Sequence, residues 1–95
     1  MGQEVIAIPQ LGSFLNIASA TTTIVKTGPG SLRAIIVNTT AAGTITIYDN
    51  TAASGTKVGI LKASVVEGSY LYGCKVSTGI TVVTGAASDI TVVFD

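Results

Sequence analysis

Residues 28–50, GPGSLRAIIVNTTAAGTITIYDN, hold the pattern that decides the fold. Leu32 to Val37 is a largely β-branched apolar run that starts just after Pro29 and Gly30 and stops at Asn38, Thr39 and Thr40. Thr44 to Asp49 then alternates strictly, with Ile45 and Ile47 on one face and Thr44, Thr46 and Tyr48 on the other. Two such runs separated by Thr40, Ala41, Ala42 and Gly43 predict an antiparallel hairpin with a loop of about four residues. No group in it suggests catalysis.

Working outward, Ser13 to Ala20 reads as an imperfect strand, with Phe14 and Asn16 on one side and Leu15 and Ile17 on the other. Thr21 to Lys26 follows as a second, whose three consecutive threonines suit a wet or hydrogen-bonded outer face. Beyond the small-residue loop Thr51 to Thr56, Lys57 to Lys62 is a strand in which Gly59 signals a bulge or a close backbone approach. Ser69 to Ser77 sets Tyr70, Tyr72, Cys74 and Val76 against Leu71, Gly73 and Lys75. The tyrosines are expected to line the core or its rim, each hydroxyl reaching a polar partner. Gly79 to Thr84 and Asp89 to Asp95, joined by Gly85, Ala86, Ala87 and Ser88, read as a second hairpin. Ile45, Ile47, Ile90, Val92 and Phe94 are the expected core.

No window has a helical period, and about eight short runs separated by glycine-rich turns predict an all-β, single-domain antiparallel sandwich or small barrel, immunoglobulin-like or jelly-roll-like. Residues 13–95 form the sandwich domain in this division, and residues 1–12 an N-terminal arm or edge segment.

Only 11% of the 95 residues are charged, the net charge is zero, and mean hydropathy is +0.65. Soluble domains carry about 25% charged residues, so part of this surface is expected to be covered by other protein. Five basic and five acidic residues are scattered without a basic stripe, which argues against nucleic acid. No apolar run approaches the length of a membrane helix, and the N-terminus lacks the basic leader and apolar core of a signal peptide.

With no histidine, a Ser-His-Asp or Cys-His arrangement and a histidine-ligated metal are excluded. The single cysteine, Cys74, forms no internal disulfide and no multi-cysteine metal site, and is expected to be a buried structural residue. Glu4, Asp49, Glu67, Asp89 and Asp95 fall at strand ends or turns, where an acid commonly caps backbone amides. Asp49, Asn50 and Thr51 lack the repeated acids of a calcium loop. A stacking platform for sugars or bases has only Tyr48, Tyr70 and Tyr72 to draw on. No catalytic residue, cofactor or metal is assigned.

The succession TGPGSLRAIIVNT, GTITIYDNTAASGTKVG and YGCKVSTGITVVTGAASDITVVFD resembles a small all-β module of tailed-bacteriophage virion proteins. The resemblance covers about residues 22–95 and involves structural residues only. It implies a non-enzymatic virion component similar to minor decoration or cement proteins of icosahedral heads. The expected form is a homo-oligomer, a trimer about a local threefold axis, bound to the major capsid protein on the capsid surface after synthesis in the host cytoplasm. Alternatives are a tail or fibre component, or a glycan-binding attachment module using exposed tyrosines.

Outside the resemblance, Gln3 to Leu11 is apolar, broken by Pro9 and followed by Gly12 as a hinge. Val5, Ile6, Ile8 and Leu11 are its candidate interface residues, expected to work between subunits or against the capsid by pairing with the edge of a neighbouring sheet.

Overall fold

The computed structural model describes residues 12–95. It contains eight strands: β1 Ser13–Ile17, β2 Thr22–Thr27, β3 Gly30–Thr39, β4 Ile45–Asp49, β5 Thr56–Leu61, β6 Gly68–Val76, β7 Gly79–Thr84 and β8 Asp89–Phe94. They form two four-stranded sheets, ordered β1-β8-β3-β6 and β2-β7-β4-β5. Every ladder is antiparallel. The pairs β1 with β8, β2 with β7, β3 with β6 and β4 with β5 nest like one long hairpin whose tip is β4–β5. Rolling that ribbon up drops successive pairs into alternate sheets, which is the double Greek key of a jelly roll. Of the two expected sandwich types, the immunoglobulin-like strand order is not the one adopted.

Both expected hairpins are corrected. β3 and β4 lie in opposite sheets, as do β7 and β8, and every connection except β4–β5 passes from one sheet to the other. A loop of about four residues spans either a turn within a sheet or the step of about 10 Å between packed sheets. An alternating strand buries its apolar face equally well in both arrangements. Long-range partners settle the matter: Ile35 pairs with Tyr70 and Val92, not with a residue of β4. The two crossing loops pack together, with the Gly85 amide donating to the Thr44 carbonyl at 2.9 Å. A Cβ on Gly43 would stand 2.5 Å from the Ala86 nitrogen, so only glycine fits there.

The core is aliphatic. Ile17, Leu32, Ile35, Val37, Val76, Ile90 and Val92 come from one sheet, Ile45, Ile47, Leu61, Ile80 and Val82 from the other, and Val65 from a loop. Each fully buried side chain of this size stabilises the fold by about 1.5–3 kcal/mol before entropy is charged against it. The expected core residues Ile45, Ile47, Ile90 and Val92 are buried. Phe94 instead packs partly wet against the cluster, because it ends β8 beside Ser13 and Leu32 at the mouth of the sandwich.

Tyrosines close the far edge. Tyr70, Tyr72 and Cys74 pack against the core from β6, and the Tyr70 hydroxyl donates to the Val66 carbonyl. Cys74 is half-buried, less enclosed than expected, because β6 is an edge strand. β5 carries one residue more than β4 between the pairs Ile47 with Gly59 and Tyr48 with Lys57. A Cβ on Gly59 would lie 2.8 Å from the Tyr72 ring, so Gly59 is both next to a bulge and the seat of a close approach across the two sheets.

In denaturant titration, Ile47→Ala and Ile90→Ala should each cost about 2–5 kcal/mol, and Phe94→Ala about half as much because its ring is partly solvated. Thiol labelling of Cys74 should run slower in native protein than in urea; equal rates would show that β6 does not shield it.

Candidate interaction surface

The acids act as backbone staples. Asp49, at the end of β4, accepts hydrogen bonds from the amides of Ser77 (3.0 Å), Thr78 (2.9 Å) and Gly79 (3.3 Å) and from the Ser77 hydroxyl (3.2 Å). The Thr78 amide, followed by that of Ser77, holds its carboxyl below the ordinary value of 3.8 despite an opposing push from desolvation. Its lone pairs are committed to the turn between β6 and β7, which leaves none directed at a substrate. Asp89 accepts from Asn16 at 2.7 Å and Asn38 at 3.2 Å, and these amides lower its carboxyl in that order of effect. Glu67 accepts the Thr40 amide at 3.1 Å, and Asp95 pairs with Arg33 at 2.9 Å. Glu4 lies outside the described residues.

Asn50 is occupied in the same way, donating to the Ser54 carbonyl at 2.8 Å while its side-chain oxygen accepts the Thr51 amide at 2.8 Å. Among the described residues no acid, cysteine or histidine cluster suited to a metal is found, and no pocket is enclosed. The three tyrosines do not share a shelf. Tyr70 and Tyr72 face the sandwich interior, where burial raises the Tyr72 hydroxyl above 10.0 with a smaller contribution from Cys74. Tyr48 lies on the outer face of the other sheet, beside Thr81.

What the fold does present is two outward sheet faces with almost no charge. On the 1-8-3-6 sheet, register aligns Phe14 with Val93, Val93 with Ala34, and Ala34 with Leu71. Phe14 and Leu71, on the two edge strands, are 72% and 67% exposed, while Ala34 between them is 3% exposed. The next row is Asn16, Thr91, Ile36 and Ser69. In these two rows Phe14 and Leu71 stand exposed on the edge strands β1 and β6, while Val93, Ile36 and Thr91 on the central strands β8 and β3 are half-buried and Ala34 is covered. Charge stands toward the ends, in the Arg33 and Asp95 pair, in exposed Lys75 opposite Ser31, and in Asp89 with its two asparagines. On the 2-7-4-5 sheet the corresponding rows are Thr22, Val83, Thr46 and Ile60, then Ile24, Thr81, Tyr48 and Lys57. There too the central Thr81 is buried while Ile24 and Ile60 on the edge strands are more than half exposed.

Sequence reasoning placed Phe14 and Leu71 opposite their inward neighbours but did not join them into a surface. The available signal was that SFLNI, LRAIIV and DITVVF carry apolar residues on both faces, more than one core needs. The candidate interface residues Val5, Ile6, Ile8 and Leu11 lie outside the described residues. Comparison of the chain with protein-family profiles, curated proteins and solved structures finds no match.

Asp49 and Asp89 have lowered folded-state values, so their stabilisation is present above the unfolded carboxylate value and is lost as pH falls through the lowered ones. The urea midpoint should fall on acidification below about pH 4, and Asp49→Asn should lower it at pH 7 while flattening part of that acid dependence. An unchanged midpoint at pH 7 would show that the Asp49 staple contributes nothing.

Proposed function

We propose that this chain is a non-enzymatic structural subunit of a bacteriophage virion, an oligomeric decoration or cement protein, trimeric about a local threefold axis and bound to the major capsid protein. The observation that carries the proposal is the pair of nearly uncharged outer sheet faces on a chain with only 11% charged residues. Such faces gain roughly 25 cal/mol for each Å² of apolar surface withdrawn from water, and closing them against other protein also removes an aggregation hazard. The order of the GPG, TIYD, SGTK, STGITVVT and DITVV segments, which resembles that of virion modules, supports the phage assignment. The jelly roll is compatible with it, being an architecture that recurs in capsid proteins as well as in lectins and cupins.

Glycan attachment through a tyrosine shelf has less support, since Tyr70 and Tyr72 are turned inward. Quantitative mass spectrometry of virions carrying the chain is the direct test. A cement protein is present in hundreds of copies per particle, whereas a count of a few would overturn the role. In parallel, Leu71→Asp should abolish particle binding or self-association while changing the unfolding free energy by about 0.5 kcal/mol or less, as an exposed substitution does.

A further inference from the structure

The two outer faces differ in how charge is arranged along one edge strand of each. On the 1-8-3-6 sheet, exposed Lys75 stands near one end of β6 and exposed Glu67 immediately before the other. The remaining charges follow the same polarity. At the Lys75 end Arg33 and Asp95 pair with each other, which leaves the lysine in surplus, and Asp89 stands at the Glu67 end. On the 2-7-4-5 sheet, β5 has Lys57 near one end and Lys62 just beyond the other, both exposed. The one acid in the strands of that sheet, Asp49, is held by the amides of Ser77, Thr78 and Gly79.

A sheet face laid antiparallel on the same face of a second copy, about a twofold axis running across the strands, sets each strand over its own equivalent with the ends exchanged. On the 2-7-4-5 sheet this brings Lys57 over the second copy's Lys62, so that face repels its own kind. On the 1-8-3-6 sheet it brings Lys75 over the second copy's Glu67, twice by symmetry, and carries Asp89 to the end where the lysine is in surplus. Size matches as well as charge. The two outer rows exchange, so Phe14 comes over Asn16 and Leu71 over Ser69, and the side chains that are 72% and 67% exposed each face a smaller one. Laid parallel, the same face would put the Asp89 and Glu67 end onto its own equivalent, acid against acid.

We infer that the outer face of the 1-8-3-6 sheet is a contact surface for the same face of a second copy, stacked antiparallel about a twofold axis, with Lys75 and Glu67 meeting at both rims. Four strands at about 4.8 Å and six residues at about 3.4 Å present roughly 400 Å² of face per copy, at the small end of specific interfaces, so the pair forms in a concentration-dependent way. The apolar and small side chains of the two rows supply the adhesion, and the rim charges fix the direction in which the faces meet. An isologous contact of this kind closes at two copies. It adds a twofold link to the threefold subunit role proposed above and does not depend on that role.

Charge exchange in the full chain tests it, read by sedimentation equilibrium at protein concentrations up to about 1 mM. Lys75→Glu and Glu67→Lys should each weaken pairing about tenfold, because two contacts between opposite charges become two between like charges. An equimolar mixture of the two variants should restore it, since every rim contact is again opposite in sign. Lys57→Glu, on the other sheet, should leave it unchanged. The contact is overturned by a monomer at every concentration, by pairing indifferent to both exchanges, or by no recovery on mixing. A second measurement changes no charge: in a Cys74→Ser background, a short bismaleimide should link Leu71→Cys chains to one another and Phe14→Cys chains to one another. Preferential linking of Leu71→Cys to Phe14→Cys signals parallel stacking and rejects the contact. A trimer insensitive to both charge exchanges keeps the subunit role and rejects this contact; a charge-sensitive dimer with no trimer does the reverse.

Discussion

β3 is held on both sides by strands from the C-terminal half of the chain, β6 on one flank and β8 on the other, and the rest of the sandwich depends on that double pairing. It places Leu32, Ile35 and Val37 at the centre of the core and brings the last strand between the first and the third. β7 does the same for the second sheet, between β2 and β4. Among the described residues the only local strand pair is β4 with β5, so most of this hydrogen-bonded ladder forms only after long loops have closed. That loss of chain entropy falls before the contacts that offset it, which makes a fold of this kind slow to form.

The crossings between sheets are where the polar and small residues are concentrated. Asp49 ties the end of β4 to the turn between β6 and β7, and the Thr81 hydroxyl donates to the Asn50 carbonyl at 2.8 Å. Thr84 links the start of β2 to β7, its hydroxyl donating to the Ser19 carbonyl at 2.6 Å and accepting the Thr21 amide at 3.0 Å. Thr81 and Thr84 are buried and hydrogen-bonded, so their polar atoms carry no desolvation debt. The threonine content of the strands thus satisfies crossing loops as well as pleated faces.

The proposed function is a matter of surfaces. The aliphatic core is complete without Phe14, Ile24, Ile60 or Leu71, yet all four are more than half exposed. An antiparallel sheet in a monomer commonly puts polar residues outside. Here both outer faces mix valine, isoleucine and threonine, and charge is pushed to the ends of the strands. Adhesion to other protein, in an assembly that repeats the same contact many times, is the role such faces suit, and it is the basis on which the virion function is proposed.

Strand existence and most inward faces were legible in the sequence, because alternation is a local property of a pleated chain: Ile45 and Ile47, Tyr70 and Tyr72, Ile90 and Val92 all turn as their spacing requires. Gly59 was legible too, since a glycine inside a strand pattern signals a missing side chain's worth of space. The strands joined by Thr40 to Gly43 and by Gly85 to Ser88 were misread as hairpins, because a short loop next to an alternating strand looks the same whether it turns within one sheet or steps across to the other. The outer row was hidden for a related reason: Phe14, Val93, Ala34 and Leu71 come from four strands far apart in sequence, and only register aligns them. The sequence by itself determined the all-β class, the apolar faces and the lack of histidine chemistry. Tertiary structure alone decided the jelly-roll order and the outer rows, since both depend on which distant strands share hydrogen bonds, and local pattern does not encode that choice.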